Sequence, residues 1–222
     1  MAVAEGKSAM TSRIISISRS LGAGGEEVGR TVAKELGFRY ADEEIIVEAA
    51  QKAGVTPETI AQAEHTPGLV TRILESIGRV PIDPEGWSAH AVLPPATPGY
   101  ETLIVRIVQE TAKEGNVVIV AHGASIPLAG ASGLLRVLVT GSPAVRAERL
   151  VREAGMGKAE AKKAVDESDR QRRGYLRRFY DLRQELPTHY DLVVSTDVLT
   201  AALAARLVLA AARGQHETEG DE

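Results

Sequence analysis

The residues best placed to do chemistry lie in one stretch, Ser18-Arg19-Ser20-Leu21-Gly22-Ala23-Gly24-Gly25-Glu26-Glu27. It follows a short apolar run, Ile14-Ile15-Ser16-Ile17, and opens a helix-like run from Val28 to Leu36. A strand, a glycine-rich turn and a helix start in that order make a phosphate cradle. Backbone N–H groups of the turn and of the helix N-terminus converge on one spot and favour an anion there. Ser18, Ser20, Gly22, Ala23, Gly24, Gly25, Glu26 and Glu27 are therefore the candidate nucleotide-binding residues. A standard phosphate loop, G-x-x-x-x-G-K-[ST], adds a lysine for the outer phosphates and a hydroxyl for magnesium. Matched on Gly22-Ala23-Gly24, this chain has Gly25 at the lysine position and Glu27 at the hydroxyl position. Arg19 falls where the first glycine belongs.

Arginine keeps its charge and offers a planar fork of donors suited to phosphate. Arg19 can supply the charge of the missing lysine; the competing reading is an ion pair with Glu26 or Glu27. Two glutamates suit a helix start, but they face a phosphate only across a cation.

A second constellation runs from Asp166 to Tyr180. At about 100° per residue, Asp166, Arg170, Arg173 and Arg177 fall on one flank, within roughly a 60° sector. Such a row can clamp phosphates and stabilise a transferring phosphoryl group; a solvated, salt-bridged face is the alternative. Val165, Arg172, Leu176 and Phe179 form a core-like stripe, with Arg172 snorkelling or paired. Arg19, Arg170, Arg173 and Arg177 are the candidate catalytic residues. Asp42 and His122 follow the second and third strands, at the carboxyl edge where ligands of α/β sheets collect. Each has an ordinary alternative, Asp42 as a helix cap and His122 as an isolated histidine. Asp197 reads first as a cap for the final helix.

The elements that must position these groups alternate. Strands are expected at about 13–17, 38–40, 117–121, 134–140 and 192–195. Helices are expected at 26–36, 43–52, 57–64, 68–79, 100–114, 143–154, 158–183 and 198–213. Alternation predicts a parallel sheet wrapped by helices. Residues 81–99 carry five prolines and the single tryptophan, Trp87, and read as a loop. Trp87 either covers local apolar surface or serves a lid or partner.

Bulk properties exclude several classes. The chain has 222 residues, enough for one α/β domain with a good core, and a formal net charge of -4. That charge gives no nucleic-acid footprint. There is no apolar run long enough to span a membrane and no secretory core in MAVAEGKSAMTSR. Zero cysteines exclude disulfides and thiolate sites, and the five histidines lack metal-ligand spacing, so no protein-held metal is expected. A cytoplasmic protein follows as the expectation.

These residues resemble the cytidylate kinase-like family of P-loop kinases, whose loop reads roughly S-R-x-x-G-S-G-G; here it is Ser18 to Gly25. Tyr40-Ala41-Asp42-Glu43-Glu44-Ile45-Ile46 resembles the family's Y-D-x-x-I-I segment, with Asp42 displaced by one. Glu167-Ser168-Asp169-Arg170, with Tyr175 to Tyr180, resembles its lid-side motif, and Tyr190-Asp191-Leu192-Val193-Val194 its last strand. Where the family commonly has G-R-G, this chain has Ala121-His122-Gly123. The resemblance implies a P-loop NTPase-type three-layer fold, with a five-stranded parallel sheet and helices on both faces. It implies one nucleoside monophosphate kinase-like domain over 13–213, with a helical monophosphate-binding insertion at about 54–99 and an arginine-rich lid at about 155–180. Residues 1–12 and 214–222 are expected to be disordered tails. It further implies phosphorylation of a nucleoside monophosphate, CMP or dCMP, by ATP with Mg2+, with Asp42, His122 and Asp169 on the acceptor side. The rival expectations are a nucleotide-binding sensor or regulatory protein, and a kinase for another acceptor. Partners are small-molecule nucleotides rather than membrane or nucleic acid; a homodimer stays open.

Overall fold

The computed structural model describes residues 13–42, 100–120, 123–183 and 185–214. Five strands form one parallel sheet: β1 (Ile14–Arg19), β2 (Arg39–Ala41), β3 (Val117–Val120), β4 (Leu134–Thr140) and β5 (Leu192–Ser195). Their order is β2-β3-β1-β4-β5. Described helices are α1 (Gly25–Leu36), α2 (Tyr100–Lys113), α3 (Pro143–Ala154), α4 (Lys158–Tyr180) and α5 (Ala201–Gly214). A short 3-10 turn, Pro187–His189, precedes β5. The α/β architecture expected from the sequence, with a five-stranded parallel sheet, is the one observed. The expected helices at 43–52, 57–64 and 68–79, the loop at 81–99 with Trp87, the monophosphate-binding insertion and the chain ends at 1–12 and 215–222 lie outside the described residues. The chain divides into two compact units, Met1–Asp42 with Val108–Glu222, and Glu43–Ile107. The sheet belongs to the first. No described helix is long and apolar enough to cross a membrane.

The sheet holds together because its central strands are apolar on both sides. All residues of β1 and of β3 are buried, as parallel strands covered on both faces must be. Ile15, Ile17, Val118, Val120, Leu135, Val137 and Val139 meet Val28 and Val32 of α1 and Ala204, Ala205, Val208 and Ala212 of α5 in the main core. A smaller cluster joins Leu150 of α3 to Ala161 and Val165 of α4, with Leu21 of the glycine turn packed against it. The turn is thus anchored by one apolar side chain between two helices. Chain order places β1 at the switch point: the chain leaves it toward β2 and β3 on one side and returns as β4 on the other. The crevice beyond its carboxyl end is where ligands of such sheets gather.

Several boundaries differ from the sequence pattern for local reasons. β1 runs to Arg19, because Ser18 and Arg19 stay in register with Leu138 and Val139 of β4. α4 stops at Tyr180, because Asp181 takes a left-handed φ of 52° and its N–H turns back to the Leu176 carbonyl. α5 begins after Thr200, whose hydroxyl accepts from the Leu203 N–H at 3.2 Å. Asp197 does not cap that helix: its carboxylate accepts from the Ser142 N–H at 2.6 Å, at the approach to α3.

Gly29 lies in the middle of α1, where alanine is favoured by about 1 kcal/mol on helix propensity alone. A Cβ there would lie 2.5 Å from Val120 Cγ2 and 3.1 Å from Tyr40 Cε2. Val120 is β-branched, fully buried and unable to retreat. Gly29→Ala is therefore expected to lower stability by about 1–3 kcal/mol, the usual cost of overpacking. Urea denaturation decides the sign; a stabilised variant would show that helix and sheet can part at no cost.

Candidate functional site

The glycine turn leaves β1 and enters α1 through two left-handed residues, Gly22 at φ 76° and Gly24 at φ 78°. Gly22 is also pressed by its neighbour: a Cβ there would lie 2.7 Å from the Arg146 carbonyl oxygen. Gly24 caps α1 without a side chain, so the first N–H groups of the helix face outward. Ser20 Oγ lies 3.1 Å from Thr140 Oγ1, tying the turn to the end of β4. Ser18 is fully buried in β1, and Glu27 is exposed at the helix start.

The carbonyls of the turn point into the protein, each toward a donor. Arg172 Nη1 donates to the Arg19 carbonyl at 2.9 Å. The Ala23 N–H closes the turn onto the Ser20 carbonyl at 3.0 Å. Arg146 Nη1 donates to the Leu21 carbonyl at 3.3 Å, and Arg149 Nη1 to the Gly22 carbonyl at 2.5 Å. The Thr196 hydroxyl donates to the Ala23 carbonyl at 2.9 Å. In a planar trans peptide the N–H opposes the C=O. Carbonyls held inward therefore turn the N–H groups of Gly22 and Gly24 outward, where they meet no acceptor among the described residues. The turn thus has the strand, glycine-turn, helix-start form on which the sequence reading of an anion cradle rests, and its frame is supplied by three guanidinium groups.

Arg146, Arg149 and Thr196 were not singled out by the sequence pattern. The available signal was the i, i+4 pair Arg146 and Leu150, which share the buried face of α3. Arg146 is nearly inaccessible, and Asp169 of α4 holds it in a fork, at 2.9 Å from Nη1 and 2.6 Å from Nη2. Arg149 also donates to the Thr196 carbonyl at 3.0 Å. Arg172, expected to be snorkelling or paired, is paired: its Nε and Nη2 reach Glu185 at 2.8 and 2.5 Å. Tyr190 donates its hydroxyl to the same carboxylate. Burial alone would raise the carboxyl of Glu185, yet the Arg172 guanidinium holds it below its ordinary range.

Arg19 is 7% exposed at the end of β1, and its Nε lies 2.5 Å from Glu26 Oε1 in an ion pair. Nε is itself without a hydrogen bond, so the two charges approach off the N–H axis. Its aliphatic stem lies over Gly25: a Cβ at position 25 would meet Arg19 Cβ at 2.5 Å and Cδ at 3.2 Å. Arg19 thus fills the volume beside the position that carries the lysine in a standard loop. Asp42 belongs to the same group. It accepts from the Tyr40 hydroxyl at 3.0 Å, and Arg30 stacks its guanidinium over the Tyr40 ring at 5.2 Å. Burial raises the carboxyl of Asp42 above its ordinary range, opposed by the charge of Arg19. Burial likewise pushes the Tyr40 hydroxyl well up, so it stays a donor.

The arginine helix divides by face. Val165, Arg172 and Leu176 are buried, as the core stripe required. Arg170, Arg173 and Arg177 are exposed, and Arg170 pairs with Glu167 on its own helix. Asp169, expected on the acceptor side, faces Arg146 beneath the turn. His122 lies outside the described residues. Arg19, Glu26 and Asp42 are brought together; Asp169 is brought to the underside of the turn instead. No group of three or more His, Cys, Asp or Glu side chains among the described residues could hold a metal.

A sequence profile described as "Cytidylate kinase-like family" matches residues 14–198. An uncharacterized protein from Eubacterium ventriosum has a similar structure, with a TM-score of 0.65 at 14% identity, covering 91% of this chain and 99% of that one. A shikimate kinase from Acinetobacter baumannii in complex with shikimate reaches 0.49 at 16% identity, covering 92% and 93%. A gluconokinase from Sinorhizobium meliloti reaches 0.48 at 16% identity, covering 91% and 92%. At such identities the first likeness speaks to the fold alone, and the other two add no weight. No curated protein matches the chain.

Asp42 makes a pH dependence with a definite sign. A carboxyl raised by folding binds its proton more tightly in the folded chain than in the unfolded one. Its contribution to stability therefore declines as pH rises from the ordinary carboxylate range through the raised value. Asp42→Asn keeps an acceptor for Tyr40 and removes the buried charge. Its urea midpoint is expected above wild type at pH 7, with the gap closing as the pH drops below the ordinary carboxylate range. A gap of opposite sign at pH 7 would show that attraction to Arg19 outweighs burial.

Proposed function

The chain belongs to the cytidylate kinase-like family, and from that membership we propose that it transfers the γ-phosphoryl group of ATP to a nucleoside monophosphate, CMP or dCMP foremost. The observation that carries this reading is the turn itself. Its N–H donors face out, and Arg19 lies across Gly25 where a standard loop keeps its lysine. In the transfer, a phosphate oxygen of the acceptor attacks the γ-phosphorus while the bond to the β-bridging oxygen breaks, releasing ADP. The protein has little covalent work to do; it aligns the reactants and neutralises charge. The outward N–H groups hold the β-phosphate region, with Arg19 beside it. Arg170, Arg173 and Arg177 supply the charge on the exposed flank of α4. Asp42 orients the acceptor, and His122 remains a candidate beside it. Magnesium would arrive with ATP, on its phosphates.

One observation favours a second reading, a nucleotide-binding sensor or regulatory protein on the same fold. Glu26 already neutralises Arg19 at 2.5 Å. A phosphate that engages Arg19 must displace that carboxylate.

Turnover separates the two readings. Purified protein with ATP and magnesium is expected to release ADP above background with at least one nucleoside monophosphate, CMP and dCMP first. Arg19→Ala is expected to cost at least about tenfold in kcat, in keeping with loss of one charged transition-state contact. Thermal stabilisation by ATP without ADP from any monophosphate would overturn the proposed transfer and favour the sensor or a kinase for another acceptor. An unchanged rate in Arg19→Ala would remove that residue from catalysis.

A further inference from the structure

Two residues of α4, Asp169 and Arg172, sit three apart and both act on the underside of the glycine turn. Asp169 grips both terminal nitrogens of Arg146, at 2.9 and 2.6 Å, and Arg146 donates to the Leu21 carbonyl. Arg146 also donates from Nε to the Gly141 carbonyl at 2.9 Å. That guanidinium is locked on three sides, and only the Asp169 contact comes from α4. Arg172 reaches the Arg19 carbonyl directly, steadied by Glu185. These contacts sit behind the turn, on the side opposite its outward N–H groups. Neither Asp169 nor Arg172 is placed to touch a ligand held by those groups.

We propose that Asp169 is a positioning residue through which the arginine-rich helix sets the direction of the Gly22 N–H donor, while Arg172, on the Arg19 carbonyl, holds the neighbouring plane whose Ser20 N–H donates to the Val139 carbonyl. The chain of cause is short. The carbonyl of Leu21 and the N–H of Gly22 belong to one rigid peptide plane. An arginine that fixes the carbonyl fixes the donor. If the Asp169 fork is lost, Arg146 keeps its charge but loses its orientation, and the Gly22 plane can rotate. The coupling is reciprocal: whatever engages the donors also steadies α4. Helix order and anion binding are then two faces of one equilibrium. The proposal rests on the reading of the turn as an anion cradle.

The test uses the full-length protein with Asp169→Asn, which keeps the size and removes the charge, and Lys163→Gln as an exposed control on the same helix. The first readout needs no ligand: the backbone amide resonance of Gly22 is expected to shift in Asp169→Asn and to stay in place in Lys163→Gln. An unmoved Gly22 resonance would overturn the proposal. The second readout is calorimetric titration with inorganic tripolyphosphate and with ATP. Asp169→Asn is expected to bind about tenfold more weakly, within the usual range of coupling between sites, and Asp169→Glu to recover part of the loss. Equal affinity in wild type and Asp169→Asn would also overturn it. The third is hydrogen exchange: tripolyphosphate is expected to slow exchange along residues 158–180 in wild type and to do so less in Asp169→Asn. Failure of wild type to bind either anion would sink the functional reading, while the Gly22 resonance would still decide the positioning role. If Asp169→Asn does not fold, Asp169→Ser, which also removes the carboxylate, carries the same comparison through its own Gly22 shift, and the absence of that shift counts against the proposal.

Discussion

The peptide carbonyls of residues 19, 21, 22 and 23 are each held by a side-chain donor from elsewhere in the chain, and the site depends on that. A glycine turn has no intrinsic reason to hold one orientation; glycine is chosen because it resists few. Order must come from outside the turn. Here it comes from α3, α4 and the segment after β5, which send Arg146, Arg149, Arg172 and Thr196 to successive carbonyls. A hydrogen bond from a charged donor to a carbonyl that water scarcely reaches is among the stronger polar contacts available to a protein. Several in series on one short segment make a stiff frame from a flexible sequence.

Placing three guanidinium groups under an anion site has a second effect. Each is neutralised to a different degree. Arg172 and Arg146 have bidentate carboxylate partners, Glu185 and Asp169. Arg149 has carbonyls and a hydroxyl around it. The charge beneath the turn is therefore partly neutralised, and exposed arginines sit on the outer flank of α4. Arg19 lies between these sets, beside the turn yet held by Glu26. The acidic residues nearest the turn, Glu26 and Asp42, make this cradle less welcoming to phosphate than one with a free lysine.

Much of the fold was legible because its signals are one-dimensional. Apolar runs of the right length gave all five strands, and Gly37, Pro143 and the i, i+4 spacing in α1 marked helix ends and faces. Where boundaries moved, the cause was tertiary or a capping detail: β1 gained two residues from its pairing with β4, and Thr200 rather than Asp197 caps α5. The outward half of the site was legible for the same reason, since Gly22 and Gly24 announce left-handed backbone by their type. The inward half was not. Arg146, Arg149 and Thr196 lie more than a hundred residues beyond the turn, and nothing in spacing says which arginine of a helix turns inward. Arg172 was half-read: its place on the apolar stripe predicted a partner, but not Glu185, and not the carbonyl of Arg19.

Gly25 and Arg19 share one volume. The stem of Arg19 occupies the space into which any side chain at 25 would grow. A lysine therefore cannot simply be reinstated at 25 to recreate a standard loop. With Arg19 in place the newcomer meets its stem, and with Arg19 shortened alone the ion pair to Glu26 is lost. Converting one form of the loop into the other therefore calls for a paired exchange at 19 and 25.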